Sequence, residues 1–347
     1  MIVTNNDEIR AYLPTSVYSG DDSLLTLMEE TEDSVLVPIL GEKLYAKVCQ
    51  DYEAALEEYG GVIPQFVGKE NLTPEIRLIR YCQLPVVYLT LANSTGILSV
   101  NLNEGGGFNQ SYTEMFDKAD KDVMGRFERD AWFKGHRGID RLLLFLENDA
   151  RSEEPKFADL WKESRYFYLQ GDLLFTTADC MNRYLDIGGS REKFISLLPD
   201  IRYCQRMYIV PEIGEELTEA VVAWCTGTLK LSVPEGWQGT EAELAETWRK
   251  AADRMRMALA LYVESRRPEK QRRYSENEAV LSLVTARKFV AASQDAFLPY
   301  ILTSPVYVKP PEETDAAEDS GEKAEGFDYD NKDNAIFVFR PTAYNRH

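Results

Sequence analysis

Histidine is nearly missing from this chain: His136 and His347 are the only two in 347 residues. That scarcity leaves little room for imidazole-built metal sites or for histidine acid/base chemistry. Cysteine is sparse and odd in number. Cys49, Cys82, Cys180, Cys204 and Cys225 form no C-x-x-C pair, which fits free thiols in a reducing compartment rather than a disulfide framework. No run approaches ~18 apolar residues, so no membrane span is expected. Residues 1–20 carry no basic start followed by an apolar core, so no signal peptide is expected and the protein reads as cytoplasmic. Positive charge is in deficit, with 39 Lys+Arg against 58 Asp+Glu and a net −19. That balance argues against a nucleic acid held by diffuse phosphate contacts. Nucleotide-binding and hydrolase signatures are missing as well. The run Gly105-Gly106-Gly107 has neither G-x-G-x-x-G spacing nor a P-loop lysine and reads as a loop or hairpin, and no serine sits in a G-x-S-x-G elbow. No cofactor, metal site or catalytic residue is expected.

Self-similarity is what the chain does have. VLVPILGEKL at 35–44 matches YIVPEIGEEL at 208–217, pairing Pro38 with Pro211 and Gly41 with Gly214. Ser23-Leu24-Leu25 pairs with Ser196-Leu197-Leu198, and NDEIRAYL at 6–13 with ADCMNRYL at 178–185. Three islands in one order, drifting by a single residue, point to an internal duplication. Apolar residues near helical spacing precede each V-P-x-[IL]-G-E-x-L motif, and helical sequence follows it. The proline is expected to break or kink the first helix, and the glycine to permit a tight turn. Pro38, Gly41, Pro211 and Gly214 thus mark two structural corners between helices.

Both halves continue alike. Thr73-Pro74-Glu75 predicts the start of a helix over 76–92, with a kink or break at Pro85, and Thr240 precedes a predicted helix over 241–264. Irregular chain is expected at 93–110 and 265–274, then long helices at 111–147 and 275–303. Gly135 and Gly138 divide the first of these in the prediction and leave His136 in a turn. Pro199 and Pro299 are expected to interrupt their segments locally. The aromatic stretch 157–176 predicts a joining helix that packs the halves together through Trp161, Tyr166, Phe167 and Leu169. The predicted fold is mainly α, an internally duplicated multi-helical repeat of about five helices per half. Its parts are 1–150, 151–309 with the joining helix, an acidic linker at 310–335, and an apolar terminal arm at 336–347.

Residues 311–335 hold ten acidic residues and two lysines, a net −8, which reads as a flexible acidic tail. An apolar segment containing Ile336, Phe337, Val338 and Phe339 follows, suited to strand addition on its own body or on a neighbouring subunit. The run Arg266-Arg267-Pro268-Glu269-Lys270-Gln271-Arg272-Arg273 is the basic exception in an acidic chain. Contact with a subunit or with the acidic tail is the preferred reading of Arg266, Arg267, Lys270, Arg272 and Arg273, above nucleic acid.

The segments MIVTNNDEIRAYLP, VPILGEKLY and LTPEIRLIRYCQLPVVYLTLANSTG resemble a family of tandem helical proteins of Bacteroides and related bacteria, often encoded in prophage-like gene clusters. The resemblance continues through residues 114–147 and 157–169, and so covers most of 1–305. The unit opening each half is similar to phage head–tail connector (neck) proteins, although a duplicated chain departs from the usual single-unit connector. The resemblance implies a non-catalytic structural or assembly protein of the cytoplasm or virion. Its partners would be further copies of itself or neighbouring phage-type structural proteins, with 336–347 as an assembly arm. A protein- or peptide-binding adaptor using the groove between repeats is the alternative, and an enzyme working through carboxylates the third.

Overall fold

Short polar caps set the starts of the helices in the computed structural model, which describes residues 1–13, 23–61, 63, 72–98, 100–102, 108–110, 121–268 and 272–309. Helix α1 (Asn6–Tyr12) begins after Asn5, whose side chain accepts from the Glu8 amide at 2.9 Å. Helix α2 (Ser23–Thr31) passes through one π-helical turn, Glu32–Leu36, into α3 (Val37–Leu40), and Gly41 then redirects the chain into α4 (Glu42–Glu58). Thr73 caps α5 (Pro74–Leu98), accepting from the Ile76 amide at 3.3 Å. A two-stranded antiparallel hairpin follows, β1 (Val100–Leu102) against β2 (Phe108–Gln110), with Asn101 opposite Asn109. Gly105, Gly106 and Gly107 lie outside the described residues.

Helix α6 (Lys121–Ala150) closes the first half, and the one-turn α7 (Ala158–Trp161) opens the joint. Thr177 caps α8 (Ala178–Asn182), and α9 (Arg191–Cys204) leads through a second π-helical turn, Gln205–Ile209, into α10 (Val210–Ile213). Gly214 turns the chain into α11 (Glu215–Cys225). Capping boxes at Thr240/Glu243 and Ser275/Glu278 start α12 (Glu241–Ser265) and α13 (Glu276–Ala292). The fold is mainly helical, as expected. Residues Met1–Tyr307 form one compact unit, and Val308–His347 are a separate one.

Several helix boundaries differ from the sequence reading. α5 does not stop at 92: it continues to Leu98 and runs unbroken through Pro85. α6 is a single helix across Gly135 and Gly138, so His136 sits in mid-helix and not in a turn. Those two glycines let α5 and α6 press together. A β-carbon on Gly135 would lie 2.5 Å from the Leu89 side chain, and one on Gly138 would lie 2.4 Å from Leu84 and 3.2 Å from the Pro85 ring. α9 likewise runs through Pro199. α13 ends at Ala292 rather than near 303, and a 3₁₀ turn follows in which the Trp248 indole donates to the Ala296 carbonyl at 2.8 Å.

The joint departs most. The long joining helix is absent: after the single turn of α7, residues 162–177 follow a non-helical path. Ser164 explains it, since its hydroxyl bonds the carbonyls of Pro38 (3.0 Å) and Ile39 (2.8 Å) and accepts from the Tyr166 amide at 3.0 Å. The aromatic side chains still connect the halves. Trp161 donates to the Ile39 carbonyl at 3.1 Å and Phe157 lies 6.1 Å from Phe145, while Tyr168 meets Phe194 of α9 at 5.5 Å.

Candidate functional site

The two corners share one local construction. Gly41 (φ 77°, ψ 155°) and Gly214 (φ 101°, ψ 144°) occupy a region of backbone space that is essentially glycine's own. In each, the glycine amide closes onto the valine four residues earlier at 2.9 Å, Val37 or Val210. Pro38 and Pro211 do not break the helix ahead of them. A proline ring clashes with the carbonyl four residues back in an α-helix, and the π-helical turn just upstream widens the spiral at that point. The helix therefore stops at the glycine.

The first residue of each π-turn is polar and buried. Glu32 accepts from the Ile2 amide at 3.0 Å and from the Tyr45 hydroxyl at 2.7 Å. Gln205 accepts from the Leu174 amide and donates to the Asp172 carbonyl, both at 2.9 Å. A serine then wedges under each corner: Ser164 beside Gly41, and Ser304 beside Gly214, whose hydroxyl donates to the Ile213 carbonyl. The pair Glu32/Gln205, five residues before each valine, was readable at the 173-residue offset but went unnoticed. The serines were not readable, because they are not equally spaced from their corners.

Burial pushes the Glu32 carboxyl above the ordinary value of 4.5, against the opposing hydrogen bonds from Tyr45 and Ile2. The folded chain holds this proton more tightly than the unfolded chain. Glu32's stabilising contribution is therefore complete below about 4.5 and lost as pH rises through its folded pKa. Urea unfolding between about pH 4 and pH 7 should show the wild-type chain's advantage over Glu32→Gln shrinking as pH rises. An advantage that stays constant across that range contradicts the burial effect.

Two further buried polar clusters escaped the sequence reading. In the first half, Glu8 accepts from Tyr52 at 2.6 Å and from Gln83 at 3.0 Å, while Gln83 accepts from Tyr12 at 2.9 Å and from Arg80 at 3.2 Å. Burial raises the Tyr12 phenol to about 12, so it remains a neutral donor. The second cluster ties the halves together. Arg191 on α9 reaches Glu147 on α6 at 3.2 Å and Asp179 at 2.8 Å, and its amide meets Asp140 at 2.5 Å. Glu147 also accepts from Tyr168 at 2.5 Å, and burial together with that carboxylate raises the Tyr168 pKa. Nearby, His136 Nδ1 lies 2.9 Å from the carboxylate of Glu192, 56 residues away in sequence.

The basic run is largely engaged within the chain. Arg266 pairs with Asp200 at 2.7 Å and covers the Tyr203 ring at 4.3 Å. Arg267 lies 3.0 Å from the buried Glu264, Arg272 donates to the Arg267 carbonyl at 2.6 Å, and Arg273 faces Asp186 at 3.6 Å. Lys270 lies outside the described residues, as do Ile336, Phe337, Val338, Phe339 and the acidic segment 311–335.

Among the described residues no group of three or more His, Cys, Asp or Glu could hold a metal ion, and no helix is long and apolar enough to cross a membrane. No protein-family model, curated protein or solved structure matches this chain.

Proposed function

We propose that this chain is a non-catalytic structural or assembly protein, a head–tail connector-like component of prophage origin. It is built from one helical unit used twice and acts in the cytoplasm or in a virion. The twice-used corner carries the reading: a π-turn, a proline, a positive-φ glycine and a serine wedge recur in both halves. The interior charges add support, since Arg191, Glu147 and Asp140 are spent on fastening one half to the other. Such a body suits a component that transmits contact between neighbours rather than one that opens around a substrate. Its partners are further copies of itself or adjoining structural proteins.

Light scattering over a range of concentrations tests this, with the products of neighbouring genes added in a second series. The expected result is a mass above the 39.6 kDa of one chain. A strict 39.6 kDa species under every condition overturns the proposal. One observation favours the adaptor alternative: a cleft of 710 Å³ where the joint meets the second half, bordered by Phe167, Asp172, Cys225 and Thr228. A stable monomer that captures a peptide there would favour that reading instead.

A further inference from the structure

Among the described residues, one groove of the first half gathers three exposed arginines that no carboxylate meets. Helices α5 and α6 border a 530 Å³ depression lined by Arg77, Arg80, Tyr81, Arg141, Leu144 and Phe145. Arg80 forms its base, held by Gln83 and by the Ile63 carbonyl. Arg77 and Arg141 are exposed, and so is Arg137 one turn along α6. None of these three meets a carboxylate among the described residues, unlike Arg266, Arg267 and Arg273 of the basic run. Aromatic rings lie between the cations: Arg77 sits 5.5 Å from the Phe145 ring, Tyr81 packs on Phe145 at 5.2 Å, and Lys134 covers Tyr88 at 5.2 Å.

The geometry points to this groove as the receptor for the C-terminal segment, residues 311–344, of a second copy of the chain, an inference that rests on the assembly reading above. The segment has the complementary chemistry. Its ten carboxylates over 311–335 match unpaired guanidiniums, which bind carboxylates through paired N–H donors. Phe327, Tyr329 and the run Ile336-Phe337-Val338-Phe339 supply apolar side chains for Tyr81, Leu144 and Phe145. Length is no obstacle, since the 26 residues from 310 to 335 can span at most about 90 Å. A nucleic acid fits the groove less well, because the chain's net −19 repels a phosphate backbone that three cations would have to hold.

Two measurements on the full-length chain test the inference. A fluorescently labelled 311–344 peptide is titrated by anisotropy into wild-type protein and into Arg77→Glu/Arg141→Glu, with labelled oligothymidine as a parallel probe. Light scattering follows the mass of both proteins. The expected outcome is saturable peptide binding that weakens with salt, drops about tenfold or more in the variant, and is accompanied by a lower assembly mass. Circular dichroism of the variant, with both changes on exposed side chains, should match wild type. Peptide binding that is absent or equal in the two proteins overturns the inference, as does tighter binding of oligothymidine. An assembly that forms but ignores the charge reversal sinks the groove and leaves the assembly reading standing. A wild-type chain that stays monomeric sinks the assembly reading and the second copy with it.

Discussion

Gly214→Ala is expected to lower the stability of the chain by about 3 kcal/mol, combining strain of about 1–3 kcal/mol at a glycine-only backbone angle with overpacking of similar size. The new β-carbon would stand 2.9 Å from the Ser304 Cα, a backbone atom that cannot swing aside. Ser304 is itself pinned, donating to the Ile213 carbonyl and accepting from the Val306 amide at 3.3 Å. Relief would therefore require moving the corner or the segment beneath it. Gly41→Ala should cost less, because its nearest contacts, Ser164 Cα and N, are both at 3.3 Å. Urea denaturation of the three proteins checks the order. A loss below about 1 kcal/mol for Gly214→Ala would mean that the corner tolerates a side chain and that its recurrence has no steric basis.

Arg191→Met is expected to be comparably costly, about 3 kcal/mol, since it leaves the Glu147 carboxylate buried without its main cation. The two side chains are 5% and 3% exposed, so solvent cannot take over the lost partner. Arg151 still approaches Glu147 at 3.3 Å and Tyr168 still donates to it, which keeps the loss from being larger. In a Glu147→Gln background the same arginine substitution should cost clearly less, and this double-mutant cycle separates pairing from simple loss of packing. Equal costs in both backgrounds would show that the loss comes from packing or from Asp179 and Asp140 rather than from Glu147. Limited proteolysis of Arg191→Met should also cut first in the joint at 162–177, where the first half gives way to the second.

Much of the helical framework could be read from residue spacing. The buried face of α12, from Leu244 and Trp248 through Met255 to Val263, was legible because it repeats at helical intervals. The starts of α5 and α12 were legible because Thr73 and Thr240 precede them with capping chemistry. No helix ends at Pro38, Pro85, Pro199 or Pro211. Whether a proline ends a helix depends on what faces it, and Gly138 opposite Pro85 or a π-turn ahead of Pro38 are facts of packing. The intrachain counter-charges of the basic run, Asp200 for Arg266 and Asp186 for Arg273, could not be read because they lie far off in sequence. The groove at Arg77 and Arg141 went unseen for the converse reason: two arginines 64 positions apart do not register as a patch until α5 and α6 bring them together.

The shortage of histidine, the helical periodicity and the recurring V-P-x-[IL]-G-E-x-L motif belong to the chain before it folds. They were enough to establish a mainly helical protein with two marked corners. Which charges remain free was settled only in three dimensions. An ion pair forms over a few ångströms, and the fold alone brings His136 to Glu192, Arg191 to Glu147 and Arg266 to Asp200 while leaving Arg77 and Arg141 unanswered.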